Sequence, residues 1–266
     1  MKLLLQGVGI EYSIDGPRTG IPVVFIHGFP FDKSMWNPQV EAFKRQFYII
    51  TYDIRGHGSS DVGDGQYTIE LFVDDLMAML DHLKISRAVL VGLSMGGYIA
   101  LRAAERNPDR IRGLVLCDTR SEADTNEGKI RRATQVNILK RDGTKSFAAT
   151  FVSGVFYEKT LSDQPAVVER IRTTIEKTSP LSIAGTLIAL AGRTDTSSAL
   201  YNIRVPTLIL VGKHDMLTPV SASTAVTASL SVSPHGNRPS VSTVKEIETG
   251  IPKACAASTT PAASAE

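Results

Sequence analysis

Ser94 stands in the run Val89-Leu-Val-Gly-Leu-Ser-Met-Gly-Gly97, with glycines two residues before it and two and three residues after. The pattern Gly92-x-Ser94-x-Gly96 fits a strand-to-helix turn too tight for side chains at the flanking positions, with the serine strained and its hydroxyl exposed. An alcohol held in that way can attack a carbonyl carbon. The flanks agree: an apolar strand from Arg87 to Val91 leads in, and a helix from Tyr98 to Arg106 leads out, ended by Asn107-Pro108. The plainer alternative is an ordinary βα turn with Ser94 as the helix N-cap. A second feature bears on the choice. The apolar run Val23 to Ile26 ends in His27-Gly28-Phe29-Pro30, where a glycine lets the next backbone swing over the strand end. The amide of Phe29 would then face the same point as the amide of Met95, and two converging N–H groups stabilise a developing oxyanion by several kcal/mol. His27 reads as a turn residue holding that loop.

Positioning these groups requires a large α/β domain. The chain has 266 residues, is 42% hydrophobic and carries a formal net charge of +2, enough for a sizeable core. No basic run interleaves with aromatics, so neither nucleic acid nor an anionic membrane is expected as a partner, and a small molecule is. Met1 to Leu5 is too brief for a signal sequence and no apolar run reaches membrane-spanning length, which predicts a cytoplasmic protein. Cys117 in a predicted core strand and Cys255 in a polar stretch fit reduced thiols, with no metal-ligand neighbourhood.

Taken in order, residues 2–5 and 8–14 read as an antiparallel pair at the sheet edge. A short helix from Met35 to Phe43 and a strand from Phe47 to Asp53 follow. The segment Asp53-Ile-Arg-Gly-His57-Gly-Ser-Ser60 gathers Asp, Arg and His, but its glycines point to a hydrogen-bonded turn and not to catalysis. Tyr67 to Leu83 has helical spacing, with Leu71, Met77, Leu80 and Leu83 inward and Asp74, Asp75, Asp81 and His82 outward. The strand Gly113 to Cys117 ends in Asp118, a spare acid candidate at the same sheet edge as Ser94. From Arg120 to about Thr196 the pattern turns helical without strands, with helices at Lys129–Lys140, Lys145–Val152, Ala166–Lys177 and Leu181–Ala191. Another buried strand, Val205 to Gly212, is followed by Lys213-His214-Asp215.

These motifs carry a family resemblance. His-Gly-Phe-Pro at 27–30, Tyr-Asp-Ile-Arg-Gly-His-Gly-Ser-Ser at 52–60 and Gly-Leu-Ser-Met-Gly-Gly at 92–97 resemble the α/β-hydrolases, in particular 3-oxoadipate enol-lactonases, aryl esterases and cofactor-free perhydrolases. The likeness spans residues 8–120 and 203–220. It implies a mostly parallel twisted sheet flanked by helices, with 1–120 and 197–266 as core and 121–196 as a helical cap. It implies Ser94 as nucleophile, Phe29 and Met95 as oxyanion-hole amides, and Asp215 as the acid that orients the base, with His214 facing away. It also implies a cap-lined acyl or lactone pocket, for which Phe147, Phe151 and Phe156 are candidates. The expected activity is serine-dependent hydrolysis of small carboxylic esters or lactones through an acyl-enzyme, with no metal or organic cofactor. Enol-lactone hydrolysis and perhydrolysis would use the same groups.

Downstream of Asp215 the pattern departs from that family. The order Ser, acid, His requires a later histidine, and His235 is the only one, 20 positions on and early. Residues 221–266 lack aromatics and are rich in Ser, Thr, Ala and Pro, a composition that predicts a disordered tail. One explanation is a shortened helix at Ser221–Ser229 and a strand at Leu230–Ser233 that deliver His235 as the base. The other is that a slipped reading frame has removed the closing strand and helix. In that case the protein would bind ligand on a hydrolase fold without turnover.

Overall fold

The computed structural model describes residues 1–231 and 241–247, the latter by backbone pairing alone. Strands β1 (Lys2–Leu5), β2 (Val8–Asp15), β3 (Ile21–Ile26) and β4 (Phe47–Tyr52) open a sheet continued by β5 (Ala88–Leu93), β6 (Ile111–Cys117), β7 (Thr207–Gly212) and β8 (Val241–Ile247). The order across the sheet is β1-β2-β4-β3-β5-β6-β7-β8. β1 and β2 pair antiparallel, β2 is antiparallel to β4, and every later pair is parallel. The parallel strands are apolar on consecutive residues because helices cover both faces: Ile49 and Ile50, neighbours in β4, are both fully buried. β3 and β5 are adjacent at the centre, so the loops that follow them share one edge of the sheet.

The first helices pack on this sheet. α1 (Asn37–Phe43) precedes β4, and α2 (Ile69–His82) is capped by Thr68, whose side chain accepts the Leu71 N–H at 3.0 Å. The outward placement of Asp75 in α2 is corrected. Asp75 is 5% exposed and receives two bonds from the Arg55 guanidinium, at 2.9 and 2.7 Å. Burial pushes the Asp75 carboxyl up and the guanidinium opposes it, while Arg55 is held protonated by its bond to the carboxylate. A carboxylate on an otherwise apolar face is tolerated because its partner arrives from the turn after β4. α3 (Met95–Arg106) starts at Met95, three residues before the expected Tyr98. Gly96 and Gly97 lie inside the helix, where they serve close packing.

Between β6 and β7 the chain is helical: α4 (Asn126–Val155), α5 (Glu158–Asp163), α6 (Pro165–Lys177) and α7 (Pro180–Ala191). α4 is two helices across a break at Gly143, with φ 76°, at the gap between the expected Lys129–Lys140 and Lys145–Val152. The short α5 was not anticipated. This insertion is tied to the rest by the Arg193 guanidinium 4.4 Å over the Tyr98 ring and by Tyr67 Oη, 3.3 Å from Ser182 Oγ. No helix among the described residues is long and apolar enough to cross a membrane.

The end of the fold differs from expectation. α8 (Val220–Ser231) runs through Leu230 and Ser231, where a strand was expected, because Ala222, Val226 and Leu230 recur every fourth residue and are all buried. The closing strand is not missing: β8 pairs in parallel with β7, its β-branched Val241, Thr243, Val244 and Ile247 suited to that state.

Candidate active site

Ser94 sits between the last residue of β5 and the first of α3, at φ 50° and ψ −109°. A positive φ on a serine is a strained backbone, and it persists because the surroundings determine it several times over. The Ser94 N–H donates to the Cys117 carbonyl of β6 at 2.8 Å. Its own carbonyl accepts the N–H groups of Gly97 and Tyr98 at 2.9 and 3.1 Å and the Thr119 hydroxyl at 2.9 Å. The flanking glycines are steric necessities: a Cβ on Gly92 would meet the Gly96 carbonyl, and one on Gly96 the Ile26 carbonyl. Ser94 makes no side-chain capping bond, so the N-cap reading of the hydroxyl does not hold. The side chain is left half-buried at the sheet edge.

The loop after β3 closes on this turn. A Cβ on Gly28 would lie 3.2 Å from the Leu93 carbonyl, so the backbone leading to Phe29 runs against the end of β5. His27 is fully buried and holds the loop with both ring nitrogens. Nδ1 donates to the Gly28 carbonyl at 2.9 Å and Nε2 accepts the Ile54 N–H at 2.9 Å, a neutral tautomer that burial favours by lowering the ring's pKa. Met95 is the first residue of α3, so its N–H has no acceptor within the helix. The segment 53–60 is a structural turn as expected. Asp53 accepts the Lys33 and Ser59 N–H groups at 2.8 and 2.9 Å and the Lys33 ammonium at 3.0 Å, and His57 is fully buried with Nδ1 3.1 Å from the Arg55 carbonyl.

Asp215 stands on the loop after β7, at the same edge. Its Oδ1 accepts the N–H groups of Leu217 and Thr218 at 2.7 and 2.8 Å, and its Oδ2 accepts the Thr218 hydroxyl at 2.6 Å. The carboxylate orients its own loop. Asp118, at the end of β6, ties to the same loop: its Oδ1 takes the Gly212 N–H at 2.7 Å, and burial, followed by the charge of Asp215, pushes its carboxyl up to about 7. Sequence order alone could not show this bond. His214 is exposed and its ring stacks on Tyr157 of the helical insertion, centroids 4.2 Å apart and planes 7° apart. His235 lies outside the described residues. It precedes β8 in sequence, and the carboxyl end of β8, where Ile247 pairs with Gly212, is the end at the catalytic edge.

Of the three aromatic pocket candidates, two contact the Phe29 ring. Phe147 and Phe151 of α4 pack edge-on to Phe29, at 6.2 and 5.9 Å, and stack on each other at 5.8 Å. Phe156 is buried without a ring contact to that cluster among the described residues. A polar groove of about 800 Å³, lined by Asp32, Lys33, Asp53, Ser59 and Lys177, contains neither Ser94 nor Asp215.

Comparisons with known proteins agree with this fold. Residues 21–250 match a family model described as alpha/beta hydrolase fold. The chain is 29% identical over 219 residues to 3-oxoadipate enol-lactonase 2 of Acinetobacter baylyi, covering 82% of this chain and 80% of that protein. It is 30% identical over 240 residues to a bifunctional esterase/perhydrolase of Acinetobacter calcoaceticus, covering 85% of each. Among solved structures, a thermophilic esterase from Thermogutta terrifontis superimposes with a TM-score of 0.84 at 33% identity, over 94% of this chain and 90% of that one.

Proposed function

The chain belongs to the α/β-hydrolase fold family, and on that premise we propose that it is a serine hydrolase of small carboxylic esters or lactones. The observation that carries this reading is the backbone at Ser94, strained at φ 50° at the head of α3 with its hydroxyl unused as a cap. Ser94 attacks the carbonyl carbon, the amides of Phe29 and Met95 hold the tetrahedral oxyanion, and water releases the acyl group. Asp215 orients the base, fixes its tautomer and stabilises the imidazolium that forms. His235 is assigned as that base because it is the histidine downstream of the acid. Residues 121–196 act as a cap, with Phe147 and Phe151 bounding the acyl side of the pocket next to Phe29. The names of the relatives, enol-lactonase and esterase/perhydrolase, support esters and lactones as the substrate class.

A second reading has one observation in its favour. Position 235 precedes β8, whose carboxyl end is the one at the catalytic edge, which favours a hydrolase fold that binds ligand without turnover. Hydrolysis of p-nitrophenyl acetate and butyrate separates the two. The wild type should turn over, and Ser94→Ala should lose about ten-thousand-fold in kcat. His235→Ala should lose as much, with partial recovery on adding imidazole. Turnover undiminished in Ser94→Ala would refute the nucleophile, and a wild type without turnover would favour the ligand-binding reading.

A further inference from the structure

We propose that His214 and Tyr157 are positioning residues of this site: their stack ties the helical cap to the loop that carries Asp215, so that the cap and the acid are held in place together. The proposal rests on the assignment of Asp215 above. Its basis is a contact between two distant parts of the chain. The imidazole of His214 and the ring of Tyr157 lie face to face, centroids 4.2 Å apart and planes 7° apart. Parallel rings at that distance are in van der Waals contact, which fixes both their separation and their tilt. His214 immediately precedes Asp215, and Tyr157 immediately precedes α5.

Each side of the stack steadies something the site needs. The acid loop is exposed: Lys213, His214, Met216 and Leu217 all face solvent, Met216 at 87%. The bonds of Asp215 to Leu217 and Thr218 close this loop on itself and do not anchor it elsewhere. From outside, Arg120 of the core donates to the Leu217 carbonyl, and Tyr157 of the cap stacks on His214. These two tethers grip the loop on either side of Asp215 in sequence. On the cap side, Tyr157 ends a limb that starts at the Gly143 break in α4 and carries Phe147 and Phe151. That limb touches Phe29 through its two phenylalanines and the acid loop through its end. A displacement of the limb therefore moves the rings on Phe29 and the residue next to Asp215 together.

The test is hydrogen exchange read by mass spectrometry in wild type, His214→Ala, Tyr157→Ala, the double variant and Tyr157→Phe, which keeps the ring. Each alanine substitution should speed the exchange of backbone amides about three- to tenfold in both 144–163 and 213–218, although it lies in only one of them. The double variant should exchange no faster than either single one, because both lose the same contact, and Tyr157→Phe should match wild type. In hydrolysis of p-nitrophenyl butyrate both alanine variants should lose about three- to tenfold in kcat through a misplaced acid, with the loss absent in Tyr157→Phe. Faster exchange confined to the substituted segment, or additive in the double variant, overturns the tie. Coupled exchange with kcat unchanged overturns the positioning of Asp215. Exchange does not use turnover, so a failure of the hydrolase reading in the Ser94→Ala assay and a failure of the tie are separate results.

Discussion

The two halves of the candidate site are built differently. The nucleophile half lies at the sheet centre, between β3, β5 and β6, and is held by main-chain bonds and contacts: Ser94 N–H on Cys117, its carbonyl under two amides, Gly96 against the Ile26 carbonyl. The acid half lies toward the sheet edge, where the Asp215 carboxylate is itself the hub of its loop, held by Leu217 and Thr218. Main-chain geometry does not titrate and is changed little by one side chain. On the roles proposed for Ser94 and Asp215, the contrast teaches that the reagent is fixed by the fold, while its activation depends on a few side chains and on pH.

That comparison can be broken at several points. The largest effect is expected at Asp215 itself. Asp215→Asn should lower kcat for p-nitrophenyl acetate by about 10³- to 10⁴-fold through loss of charge and tautomer control, with the thermal midpoint changed far less. A loss under tenfold would remove Asp215 from the acid role. A matched pair of hydroxyl deletions then weighs the two halves directly. Thr218→Val removes one of the donors to the acid and should cost about tenfold in kcat/KM, on the order of 1.4 kcal/mol. Thr119→Val removes a hydroxyl from the Ser94 carbonyl, which keeps two amide donors, and should cost less than about twofold. Equal or reversed losses would contradict the contrast.

The smallest effect concerns pH and stability. Asp118 stays protonated in the folded protein up to about 7, whereas in the unfolded chain it ionises near the ordinary value of 3.8. The folded state therefore retains a proton that the unfolded state has released, and stability present at low pH is lost as pH rises toward 7. Asp118→Asn escapes that loss. Its melting temperature should exceed that of wild type by a margin that grows between about pH 4 and 7 and is constant above. A margin independent of pH would mean that Asp118 does not change its ionisation on folding.

Much of this site was legible in the sequence because its signals are local. The buried strands read as unbroken apolar runs, Gly92-x-Ser94-x-Gly96 fixes the elbow within five residues, and Gly143 marks the break in α4. What was missed depends on residues far apart in the chain. Asp75 looked solvated because Arg55, which neutralises it, comes from another element 20 residues earlier. Asp118 was visible as an acid at the right edge, but its bond with the Gly212 N–H spans 94 positions and exists only once β6 and β7 are paired. Helix α8 was cut short because Ser and Thr dilute the Ala222, Val226, Leu230 stripe, and β8 was missed because its strand-forming residues follow a stretch poor in apolar side chains. His235, the expected base, lies between those two elements in sequence, outside the described residues.

The left-handed backbone at position 94 has one more consequence. Its cost is borne by the main chain and is nearly the same for any unbranched side chain attached there, so the elbow is a mount and the hydroxyl is the tool fitted to it. A cysteine or an aspartate in that place would inherit the same exposure and the same two neighbouring amides. The reagent could be exchanged, and the chemistry with it, without rebuilding the protein beneath.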